Sequence, residues 1–75
     1  MQLTIQLGKN GLTQNFLEEI KKRFENKKIK MIKISVLRSA RESKADVKKY
    51  SDQIQEFLGS KYRTRVLGFS IFIKK

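Results

Sequence analysis

The sequence contains no cysteine, histidine, proline or tryptophan. Without cysteine there are no disulfides, so apolar packing alone must hold the fold. Zinc sites of the Cys/His type are excluded, as is every catalytic triad or dyad built on His or Cys. No apolar run approaches the roughly 20 residues needed to span a bilayer, and no signal-peptide pattern opens the chain. With the missing cysteines, this fits a reducing, cytoplasmic setting. Acids are scarce: seven Asp and Glu stand against eighteen Lys and Arg, a net charge of +11. At 75 residues the chain is near the lower limit for folding without staples. No linker, repeat or low-complexity stretch divides it, so residues 1–75 are expected to form one domain.

A charge excess of this size exceeds what solubility needs and points to a polyanionic partner. A hot-environment protein would balance its lysines with glutamates. A membrane-surface helix would gather its cations on one face opposite aromatics, and neither candidate helix does. Nucleic acid is therefore the expected partner.

Leu3-Thr4-Ile5-Gln6-Leu7 alternates apolar and polar residues, the pattern of a half-buried strand. It stops at Gly8-Lys9-Asn10-Gly11, a turn bounded by glycines. Thr13 caps a predicted helix running to about Asn26, with Phe16, Leu17, Ile20 and Phe24 on one face. Glu18–Lys22 and Glu19–Arg23 are i,i+4 pairs in the favourable order. A second strand is predicted over residues 31–37, with Ile32, Ile34 and Val36 inward and Lys33 and Ser35 outward. After the loop Arg38-Ser39-Ala40-Arg41-Glu42, Ser43 and Asp46 resemble a capping box, although the helix start could equally lie nearer Ser39. Val47, Tyr50, Ile54, Phe57 and Leu58 form this helix's apolar stripe, and Gly59 closes it. Residues 62–67 and 69–74 read as a hairpin around Gly68.

The pattern gives a two-layer α/β fold, βαβαββ, with two helices on one face of a four-stranded mixed sheet and about 20 apolar side chains in the core. The other face is expected to carry Gln2, Thr4, Gln6, Lys33, Ser35, Arg63, Arg65, Ser70, Phe72 and Lys74, too polar for a second core. Right-handed crossovers make the first three strands parallel, so their carboxyl ends share one edge. The 8–11 loop, the loop holding Arg38 and Arg41, the Gly68 turn and both helix amino ends meet there, where open α/β sheets bind ligands.

The primary candidate site is thus Gly8, Lys9, Asn10, Gly11, Thr13, Arg38, Arg41 and Lys44. The glycines let a sugar-phosphate backbone approach closely, as a GxxG loop does in KH domains. Alone, GxxG is also an ordinary strand-to-helix turn; charge and edge position favour the functional reading. Arg63, Arg65, Phe72 and Lys74 on the open face form a second candidate site. Phe72 there reads first as a residue packed among its strand neighbours, since stacking platforms usually show two or three aromatics. Lys27, Lys28, Lys61, Lys74 and Lys75 gather at the opposite edge and read as solvated charge.

Leu7-Gly8-Lys9-Asn10-Gly11-Leu12-Thr13, at a strand end and helix start, resembles the signature of the CRM domain (chloroplast RNA splicing and ribosome maturation), whose stand-alone bacterial members are the YhbY-like proteins. Ile29-Lys30-Met31-Ile32-Lys33-Ile34 is similar to that family's second strand. Val66-Leu67-Gly68 followed by Ile71-Phe72-Ile73-Lys74 is similar to its closing hairpin. The resemblance covers nearly the whole chain in order. It implies a fold like that of an initiation-factor C-terminal domain, and an RNA-binding module whose 8–11 loop and neighbouring basic surface meet RNA. It also implies a role with ribosomal RNA precursors in large-subunit assembly. The sequence departs from the family in three places. Stand-alone bacterial members usually have a helical segment before the first strand, whereas here the strand begins almost at Met1, so contacts from that segment are expected to be absent. The Gly59–Tyr62 connection is slightly long, and Lys74 stands near the place of a usual tyrosine.

No cofactor, metal or small-molecule substrate is expected, and the chain is expected to act as a monomer. An enzyme is disfavoured. Glu42, Asp46, Asp52 and Glu56 are interspersed with lysines on or beside one helix, and the 8–11 loop lacks the Lys-Ser/Thr spacing of a phosphate loop. Two other readings compete. One is an Alba-like packaging protein on duplex DNA or RNA; the other is a protein-interaction domain in a ribonucleoprotein particle, using the open face and Phe72.

Overall fold

A computed structural model describes residues 2–9, 11–40 and 42–75, excluding the side chain of Gln2. Four strands and two helices alternate as expected: β1 (Gln2–Leu7), α1 (Gln14–Phe24), β2 (Met31–Val36), α2 (Lys44–Leu58), β3 (Arg63–Leu67) and β4 (Ser70–Lys74). A single 3-10 turn, Arg38–Ala40, precedes α2. The sheet order is β1-β2-β4-β3. β1 and β2 pair in parallel, and β4 runs antiparallel to both β2 and β3. The first three strands therefore point the same way, with β4 inserted between the second and third.

Alternation sets the two faces. Leu7, Ile32, Ile34, Val36, Ile71 and Ile73 are buried against Ile20 and Phe24 of α1 and Val47 and Ile54 of α2. Phe24 packs its ring on Tyr62, with centroids 5.0 Å apart. α1 ends at Phe24, two residues before the boundary read from the pattern. The chain turns there because the Asn26 side chain accepts from the Lys28 N–H (3.0 Å) and its carbonyl accepts from the Ile29 N–H (3.0 Å), a local alternative to helix. Lys75 donates from Nζ to the Phe24 carbonyl (3.0 Å), placing a cation on the negative end of α1. Of the two i,i+4 pairs, Glu19 meets Arg23 at 3.0 Å, while Glu18 accepts from Gln14 at 3.5 Å.

α2 is pinned at both ends. At its carboxyl end Gln55 donates from Nε2 to the carbonyls of Gly59 (2.8 Å) and Tyr62 (2.7 Å) and accepts at Oε1 from the Thr64 N–H (3.0 Å). Ser51 adds a hydroxyl bond to Thr64 (3.1 Å). At its amino end the Asp46 carboxylate accepts from the N–H groups of Glu42 (2.7 Å) and Ser43 (3.3 Å). The Glu42 N–H, ahead of those of Ser43 and the charge of Lys49, holds the Asp46 pKa below the ordinary 3.8. A depressed carboxyl pKa stabilises the fold above its unfolded value, and that contribution is lost as pH falls through the lowered native value. Acid titration by NMR should accordingly show the Glu42 and Ser43 amides moving together at a pH below 3.8. Asp46→Asn should abolish that step; a step at the ordinary aspartate pH would contradict the cap.

Candidate nucleic-acid interface

The carboxyl ends of β1, β2 and β3 and the β3–β4 turn lie on one edge of the sheet, because those three strands share a direction. Backbone bonds tie the loops at this edge together. Leu37 donates its N–H to the Leu7 carbonyl (2.9 Å), Gly11 donates to the Gly8 carbonyl (2.9 Å), and Val36 donates to the Phe69 carbonyl (3.0 Å). The 8–11 loop is thus a hydrogen-bonded turn seated beside the segment leaving β2.

The two glycines of that turn differ. Gly11 has φ of +67°, a region L side chains rarely adopt, so the turn itself calls for glycine there. Gly8 has no positive φ, and a Cβ on it would meet only Leu37 Cδ1 at 3.8 Å, an ordinary contact. The fold places no demand for glycine at position 8.

Tyr50 joins the two loops. Its hydroxyl donates to the Ala40 carbonyl (2.6 Å), and the same oxygen lies 3.6 Å from where a Cβ on Gly11 would stand. The sequence reading placed Tyr50 only in the apolar stripe of α2. A phenol beside a turn glycine and a loop carbonyl needs tertiary structure to be seen. Leu37 and Phe69, 37% and 39% exposed, add apolar surface to the edge, and they too escaped the sequence reading.

Among the primary candidates, Lys9 is exposed beside Gly8, Arg38 is exposed on the 3-10 turn, and Lys44 is exposed as the first residue of α2. Asn10 and Arg41 lie outside the described residues. Thr13 is the N-cap of α1, and its Oγ1 accepts from the Phe16 N–H at 3.1 Å. At α2 the Asp46 carboxylate accepts from the N–H groups of Glu42 and Ser43, just ahead of the helix, and so brings a negative charge to its amino end. Arg38, Glu42, Asp46 and Tyr50 line one shallow depression there, so the acids offset part of the positive charge of Arg38. Lys9 and Lys44 are further exposed cations, in the 8–11 segment and at the start of α2.

The second candidate set lies together on the open face. Cross-strand register places Lys33, Phe72 and Arg65 in one row and Met31, Lys74 and Arg63 in the next. Lys33 Nζ stands 5.7 Å from the centroid of the Phe72 ring, within cation–π reach. Met31 and the 62% exposed Leu67 share this face, although the sequence reading omitted them. Among the described residues, no group of three or more acids could hold a metal ion, and no helix is long and apolar enough to cross a membrane.

A family model, the CRS1/YhbY (CRM) domain, matches residues 1–65, from β1 through Arg65 in β3. No curated protein and no solved structure matches the chain. The matched span contains the 8–11 turn, both helices and the whole primary candidate set. The order of elements, the glycine turn where β1 gives way to α1, and a family match over most of the length agree: the chain belongs to the CRS1/YhbY (CRM) domain family, a family of RNA-binding domains.

Proposed function

We propose that this CRM domain is a non-enzymatic, monomeric factor that binds structured ribosomal RNA during assembly of the large ribosomal subunit. Its contact is the edge carrying Gly8, Lys9, Gly11, Arg38 and Lys44, with Asn10 and Arg41 beside them in sequence. The observation that carries this reading is Gly8, a half-buried glycine opening the turn, whose φ and surroundings would accept a side chain. The reason for glycine there lies outside the fold: a sugar-phosphate backbone can approach where no Cβ intervenes. Lys9 then pairs with phosphate, and the net charge of +11 draws the polyanion in.

The reading is tested by measuring affinity for a structured large-subunit ribosomal RNA fragment and for duplex DNA of equal length at one near-physiological salt concentration. Preference for the RNA is expected, with a steep loss of affinity as salt rises. Equal affinity for both would point to sequence-blind electrostatic binding and overturn the ribosomal assignment. Binding to neither would overturn RNA recognition by this chain.

A further inference from the structure

We propose that the open face of the sheet is a second RNA contact, a stacking surface for a single-stranded segment centred on Phe72. The proposal rests on the RNA-binding reading above and assigns the same partner a second surface.

The face combines one sign of charge with an apolar centre. Its charged residues are Lys33, Arg63, Arg65 and Lys74. All seven acids of the chain lie on the two helices or in the turns adjoining them, so none falls on a strand. Phe72 sits between Lys33 on β2 and Arg65 on β3 in register. With strands about 4.8 Å apart, these two cations bracket the ring at roughly 10 Å from each other. Met31 and Leu67 extend the apolar surface, and with Phe72, Arg63, Arg65 and Lys74 they line one shallow depression.

Charge selects the occupant. A second copy of this face would bring four cations against four with no acid to pair them, which is repulsive. An RNA single strand brings what the face lacks: phosphates for the cations, and base π-faces for the ring and the arginine planes. Phe72 is half-buried on this face, and the Lys33 ammonium of the neighbouring strand stands 5.7 Å from its ring centroid. When a base stacks there, Lys33 turns to the neighbouring phosphate.

The test titrates the isotope-labelled full chain with decauridylate and, separately, with the structured ribosomal RNA fragment, reading amide shifts and Kd. Decauridylate should move the amides of Lys33, Arg65 and Phe72. Phe72→Leu, which keeps the apolar packing, should weaken decauridylate binding about tenfold. Arg63→Gln with Arg65→Gln, both exposed and therefore tolerated by the fold, should flatten the slope of log affinity against log salt by about 1.4, two contacts at roughly 0.7 each. In both variants the structured fragment should still shift Gly8 and Gly11. Decauridylate shifts confined to the 8–11 and 38–44 edge would overturn the second surface and leave the edge assignment standing. So would unchanged decauridylate binding in both variants, or a concentration-dependent dimer formed through this face. Failure of the unaltered chain to bind either RNA would instead refute the RNA reading on which the proposal rests.

Discussion

Replacing Lys9 and Asn10 together by aspartate should weaken binding of the structured ribosomal RNA fragment about a hundredfold. The double variant removes one cation and adds two anions in the 8–11 segment, a change of three charges at the proposed RNA contact. At about 1 kcal/mol per charge at close range in water, the loss is roughly 3 kcal/mol, or about two decades in Kd. The fold should tolerate it, because Lys9 is exposed and the turn is closed by the Gly11 N–H and Gly8 carbonyl. Circular dichroism should be unchanged. Part of the loss should disappear at high salt, where screening shortens the reach of the new anions. A folded variant with undiminished affinity would remove the turn from the RNA contact.

Gln55→Ala should lower stability by about 3 kcal/mol, the sum of two carbonyls and an N–H left without their partner in a partly buried site. In a chain this small each kcal/mol moves Tm by about 4–8 °C, so the expected fall is roughly 12–24 °C. Gln55→Glu is the sharper probe. It keeps an acceptor for the Thr64 N–H and removes both donors, so it too should melt well below the parent. A melting temperature within a few degrees of the parent in both variants would show that the amide network does not hold the α2–β3 connection. RNA affinity should persist at temperatures where either variant is folded, since Gln55 lies at the end of α2 away from the 8–11 turn.

Local patterns carried much of this architecture. The alternation in residues 3–7 and 32–36 placed each side chain on the correct face because a strand's period of two leaves no other assignment once one face is buried. Ser43 with Asp46 marked the start of α2, where two N–H groups need an acceptor, and Gly68 marked the hairpin with its φ of +62°. The position of β4 between β2 and β3 was not legible. Alternation says which face a residue joins, whereas strand order is decided by long-range backbone pairing. The roles of Gln55, Tyr50 and Lys75 were hidden for the same reason: each bonds a carbonyl or amide brought near only by folding. In the candidate site, the glycine turn and its cations were visible as a motif. The difference between Gly8 and Gly11 depends on geometry that spacing does not encode.

The measurement that tests the central claim most directly is Gly8→Ala, followed in parallel by thermal melting and by affinity for the structured ribosomal RNA fragment. A Cβ at position 8 finds ordinary contact distance and no positive φ to oppose it, and alanine restricts the unfolded chain, so stability should hold or rise by up to about 1 kcal/mol. The same methyl group would stand in the path proposed for the RNA backbone, so affinity should fall about fivefold, near 1 kcal/mol. Stability retained with binding weakened is the result expected of a glycine kept for a partner. Stability retained with binding unchanged would show that RNA does not approach at Gly8 and would contradict the account.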